Sequence, residues 1–219
     1  MHLPFWISAV LAVPLTAFSL QAQSPIDPPL PTASFDMAIN YASERAQIAP
    51  GKCGCFWLQG GDVDAAFTFL KGFGLAGSVA AEHLANYAPG LNLTTLAYLG
   101  GVRFTHTYWT PQPFAHSRLK AQIFLEGLGG RVNGLEGAFP SPTGLRATAH
   151  SRAVRAGAGV NLFWGKRMGV RIIEADYVRT ELPNNFSALQ NDFRLATGLT
   201  FRFGPSPAPK QKIEIPDGW

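Results

Sequence analysis

The side chains able to do chemistry in this chain are few and scattered. His150 and Ser151 are neighbours, so in extended chain they point to opposite faces, and no carboxylate stands where it could orient the imidazole. His83 and His106 fall at opposite ends of neighbouring strands, too far apart to share a proton. Cys53-Gly54-Cys55 offers two thiols across a single residue. A loop disulfide or two free thiols suits that spacing better than a soft metal, which needs further ligands that are not adjacent. No catalytic residue, metal or cofactor is expected.

The informative residues are instead charges placed two apart among small residues. Asp36, Glu44, Asp62, Asp64, Glu82, Arg103, Arg118, Lys120, Glu126, Arg155, Arg171, Arg194 and Arg202 all fall on the polar side of segments whose other side is apolar. Strands turn alternate side chains to opposite faces, so a period of two means strands. The segment 191–203 shows it best: Phe193, Leu195, Leu199, Phe201 and Phe203 lie on one face, with Asp192, Arg194, Gly198, Thr200 and Arg202 on the other. The same division predicts strands over 35–44, 62–71, 73–86, 94–108, 117–129, 152–163 and 167–180. In the seventh, Arg171 and Glu174 cannot both face inward without a bulge near Ile172-Ile173. Loops are predicted over 46–61 and over 131–151, the longest.

Composition fits an all-β chain: 23 glycines and 16 phenylalanines in 219 residues, 47% apolar and only 15% charged. The net charge of +4 is spread singly, which gives nucleic-acid binding no support. Residues 1–22 read as a secretory signal peptide ending at Ala22, with Pro4 and Pro14 against a permanent helix. Residues 23–33 read as a proline-rich linker and 204–219 as a flexible tail. Any membrane crossing therefore falls to strands, the barrel occupying 34–203.

The expected fold is an all-β, eight-stranded, antiparallel up-and-down transmembrane β-barrel. Its apolar face should meet lipid, because small residues and charges fill a narrow lumen and because rings cluster where strands end. The expected girdle comprises Phe35, Phe73, Tyr108, Trp109, Phe163, Trp164, Phe201 and Phe203 at the turn end, with Tyr41 and Tyr177 towards the loops. Connections are expected to be longer after strands one, three, five and seven, which puts the long loops outside the cell and both termini in the periplasm. Across the lumen, Arg202 is expected to face Asp36, Arg194 to face Glu44, and Glu126 to face Arg155.

These features, with the ending Leu199-Thr200-Phe201-Arg202-Phe203, resemble the small eight-stranded outer-membrane barrels typified by the transmembrane domain of outer membrane protein A and its shorter relative X. The resemblance implies the bacterial outer membrane, contact with its lipid, engagement of the barrel assembly machinery by the terminal aromatic signal, and a monomer. It brings no catalytic motif, and the tail is too short for the periplasmic peptidoglycan-binding domain of larger members.

Three functions remain open. The first is a structural or surface-interacting envelope protein, whose Arg131, Arg146, His150 and Arg152 could touch lipopolysaccharide phosphates. The second is a narrow, porin-like channel for ions or small solutes, and the third a lipid-modifying enzyme.

Overall fold

The computed structural model describes residues 33–47, 55–88, 91–109, 119–165, 167–184 and 189–204. Ten strands follow in order: β1 (Ser34–Gln47), β2 (Cys55–Leu70), β3 (Phe73–Ala88), β4 (Leu91–Trp109), β5 (Leu119–Leu135), β6 (Phe139–Ser141), β7 (Gly144–Arg146), β8 (Ala149–Trp164), β9 (Met168–Thr180) and β10 (Gln190–Phe203). Eight of them close into one antiparallel barrel, each pairing with its neighbour in sequence once the short β6–β7 hairpin is set aside. β1 and β10 complete the ring, with Asp36 opposite Arg202 and Glu44 opposite Arg194. Closure leaves no sheet edge unpaired, the condition for a strand protein in hydrocarbon.

Alternation builds the two surfaces. On β10, Arg194 and Arg202 are buried inside while Phe193, Leu199 and Phe203 are about half exposed outside. β9 carries an irregularity at Ile172 and Ile173, which both face out, so that Arg171 and Glu174 both turn inward. One short connection, Lys71 and Gly72, puts both residues at positive φ (43° and 98°), the backbone that lets a tight hairpin follow the twist of its strands.

The strands run further than the sequence pattern suggests. Residues 55–61 belong to β2, 131–135 to β5 and 149–151 to β8, although the sequence pattern, with Gly60, Gly61 and Gly134, reads as loop. Gly60 shows why such residues fit a strand: a Cβ there would come within 2.0 Å of the Ala81 carbonyl oxygen on β3. The expected order of connections holds after the first, second, fifth, sixth and seventh barrel strands and fails after the third and fourth. Only residues 89–90 separate β3 from β4, whereas 110–118 separate β4 from β5 at the opposite end.

Candidate functional site

The lumen is the candidate site, and it divides along the barrel axis. At the end with the Lys71-Gly72 turn, Arg202 donates from Nε to Asp36 Oδ1 at 2.7 Å and from Nη2 to Oδ2 at 3.0 Å. Gln122 also donates to Asp36, at 3.2 Å, and accepts from Asn161 at 3.0 Å. The Arg202 guanidinium lies 4.2 Å from the centre of the Phe163 ring.

Phe163 is therefore not a girdle residue. It is 1% exposed and points into the barrel, because it shares the parity of Arg155 and Asn161 on β8; the girdle residue at that strand end is Trp164, which is exposed.

In the middle layer, Asp64 accepts from Arg155 at 3.2 Å and from Arg171, with Arg103 at 3.6 Å. Glu126 accepts from Arg103 Nε at 2.8 Å and from Arg155 at 3.1 Å. Glu174 pairs with Arg171. Phe124 is fully buried among these charges, its ring centre 4.5 Å from the Arg103 guanidinium and 4.7 Å from that of Arg171. Cation–π contact of this kind gains strength when the cation is desolvated. The carboxylates of Glu126, Glu174 and Asp176 lie within 4.8 Å of one another, and Arg155 comes within 4.0 Å of all three.

Arg194 forms the upper charged layer. It pairs with Asp62, with Asp176 at 2.7 Å and with Glu82 at 3.1 Å. Glu44 sits opposite Arg194 in register, yet the guanidinium turns to these deeper carboxylates, which offer more acceptors. Lys120 is buried in the lumen as well. Arg118 and Cys53 lie outside the described residues, and the Cys53–Cys55 pairing with them; Cys55 is exposed at the start of β2.

Above Arg155 and Arg194 the lumen changes character. Leu58, Leu99, Val132, Ala153, Val178 and Leu182 are buried there, capped by Phe139 of β6, with Leu128 level with Arg155 just beneath. A cavity of about 350 Å³ remains there, and its charged lining is Glu44, Glu82, Arg155, Asp192 and Arg194. Attention to charge alone misses this apolar layer. Inward Leu99, Leu128 and Val132 are the available signal, since they share the parity of Arg103 and Glu126.

Outside, Phe35 and Phe203 pack at 6.0 Å between ring centres and Phe73 against Phe104 at 4.8 Å. Tyr108 and Trp164 are exposed at the same end, with Phe201 half-buried. Tyr41, Trp57, Tyr98 and Tyr177 are exposed towards the other. Trp109 ends β4.

Among the described residues, the histidines form no hydroxyl–imidazole–carboxylate order. His83 Nδ1 lies 2.9 Å from Thr94 Oγ1, and that hydroxyl donates to Glu136 at 3.3 Å, so the acid stands behind the hydroxyl. His106 packs on Tyr108 near the other end. His150 is exposed, and Ser151 donates to the Arg152 carbonyl at 3.1 Å.

No family model and no curated protein sequence matches this chain. Among solved structures, the Neisserial surface protein A (NspA) aligns at 14% identity over 78% of this chain and 99% of its own, with a TM-score of 0.53. Ail, the attachment invasion locus protein of Yersinia pestis, aligns at 15% over the same shares with a TM-score of 0.45. The N-terminal barrel of Pseudomonas aeruginosa OprF gives 12%, 77% and 97%, and 0.38. The chain has the fold of the small eight-stranded outer-membrane β-barrels.

Proposed function

We propose that this is a non-enzymatic, integral outer-membrane protein that engages the phosphates of lipopolysaccharide from its outer wall. The observation that carries the reading is a row of exposed arginines on three adjacent strands. Arg131 of β5 stands directly opposite Arg152 of β8, and Arg179 of β9 pairs with Val154, two residues along β8. All three point outward, and among the described residues none has a carboxylate within 4.0 Å. Like charges directly opposed across strands repel, so an anion bound between them would relieve a cost built into the fold.

Position supports the same ligand. The register pairs Leu119 with Trp164 and Arg131 with Arg152, so about 12 residues separate the arginines from the aromatic end. At 3.3 Å per residue and a tilt near 45°, that is roughly 28 Å, just past the apolar band of about 25 Å typical of such barrels. Lipid phosphates lie at that depth. Tyr98, opposite Arg131, and Tyr177, two residues from Arg179, supply rings at the boundary.

In this reading the arginine end faces the cell exterior and both chain termini the periplasm, with assembly by the barrel machinery and a monomeric state. The channel alternative has the stacked ion-pair layers against it. Conductance recordings in planar bilayers should show no discrete openings.

The deciding experiment reconstitutes the barrel in bilayer discs with and without lipopolysaccharide and repeats it with Arg131→Gln, Arg152→Gln and Arg179→Gln combined. Each basic group near an anionic surface is worth about 1 kcal/mol, so binding should weaken about fivefold per arginine removed. Equal binding by the wild-type and triple variants would end the assignment.

A further inference from the structure

The apolar upper lumen lies on the opposite side of the barrel wall from the arginine row and is independent of it. The cavity of about 350 Å³ is walled by Leu99, Val132, Phe139 and Leu182. That is within the range of small-molecule pockets, which are mostly apolar with a few placed polar groups. An engineered apolar cavity of about 150 Å³ holds one benzene, so the volume here suits a body on the order of two rings.

Charge selects the head group. The two guanidiniums bordering the cavity are already held: Arg155 by Asp64 at 3.2 Å and Glu126 at 3.1 Å, and Arg194 by Asp62, by Asp176 at 2.7 Å and by Glu82 at 3.1 Å. Glu44 also borders the cavity and has no cationic group within 4.0 Å among the described residues. Glu82 borders the same cavity, so two carboxyls stand together at its charged side, and ionised carboxylates accept hydrogen bonds without donating any. Just beneath, Glu174 Oε1 and Asp176 Oδ1 are buried without a hydrogen-bond partner, against a single guanidinium nitrogen, Arg155 Nε, in that state. Among the described residues, the buried acids Asp36, Asp62, Asp64, Glu82, Glu126, Glu174 and Asp176 outnumber the buried arginines Arg103, Arg155, Arg171, Arg194 and Arg202. A carboxylate ligand would meet acceptors with nothing to donate to them. An ammonium supplies three donors and the missing charge.

We propose that the loop-side cavity binds a compact apolar amine, its hydrocarbon body against Leu99, Val132, Phe139 and Leu182 and its ammonium donating to Glu44 and Glu82.

The test uses the whole barrel in bilayer discs and three probes of one shape: 1-naphthylmethylamine, 1-naphthalenemethanol and 1-naphthoic acid. Saturable binding is measured by calorimetry against empty discs. The amine should bind at least tenfold tighter than the alcohol, with the acid weakest. Glu44→Gln should remove the amine's advantage, and Val132→Trp, which fills the cavity, should abolish binding of all three. Heat-dependent gel mobility checks that each variant is folded, and Ala153→Phe replaces Val132→Trp should that variant fail. The proposal is overturned by an acid or alcohol that binds as tightly as the amine. It is equally overturned by an unchanged amine preference in Glu44→Gln, by binding that survives the filled cavity, or by no binding above that to empty discs.

Discussion

Two halves of one lumen are filled by opposite means. From Asp36 up to Arg194 the interior is packed with ion pairs and polar hydrogen bonds; beyond Arg194 it is lined mainly with leucine, valine and alanine, with Thr180 and Asp192 among them, and is incompletely filled. The same β8 supplies both, with Ala153 in the apolar layer and Arg155 and Gly157 in the charged one. The contrast teaches that the inside of a small barrel need not be uniform. The charged half ties the strands together across the lumen, while the apolar half leaves a cavity.

The largest effect should come from removing one member of the charged half. Arg155→Met takes one of their guanidiniums from Asp64 and Glu126 and leaves the Glu126, Glu174 and Asp176 carboxylates without the cation they share; breaking buried pairs from one side costs about 3–5 kcal/mol. Urea unfolding of the refolded barrel should show that loss, and a stability within 1 kcal/mol of wild type, as for an ordinary surface change, would break the comparison.

Next comes packing. A Cβ at Gly157 would meet Asp176 Oδ1 at 1.8 Å, whereas one at Gly127 has nothing within 4 Å. Gly157→Val should therefore destabilise by about 1–3 kcal/mol, and Gly127→Val, on the lipid side, should lie within about 0.5 kcal/mol of wild type.

The smallest effect, and the sharpest contrast, is Ala153→Val. Four residues from Gly157 on the same face, it adds carbon towards the cavity, and each buried CH₂ is worth about 0.8 kcal/mol. The same unfolding assay should find it neutral or stabilising. Destabilisation equal to that of Gly157→Val would mean the two halves are packed alike.

Much of this architecture is legible in the chain because period two is a strong signal where one face meets hydrocarbon. Phe193, Leu199 and Phe203 against Arg194 and Arg202 establish β10 and its facing, and Arg171 and Glu174 give away the bulge. Glycine-rich stretches mislead, since Gly60 reads as loop but is required by close approach of β3. Phe163 misleads in another way: residue type says girdle, whereas parity and Arg202 place it inside. Ion-pair partners are only half legible. Register sets which residues face each other, but long guanidiniums choose among several carboxylates, as Arg194 does in passing over Glu44 for Asp62 and Asp176. The apolar cavity depends on three-dimensional closure and on Phe139 folding over it from a hairpin that has no strong alternation.

Everything above requires the leucine and valine face to meet lipid. Nitroxide labels at Val102→Cys, Leu125→Cys and Leu199→Cys, in a background with Cys53 and Cys55 replaced by serine, test this directly, since all three sites are about half exposed on the outer wall. In bilayers, collision with oxygen should be high and collision with a water-soluble nickel chelate low at all three. Labels that collide freely with the nickel chelate, or that are shielded from both, would contradict the account.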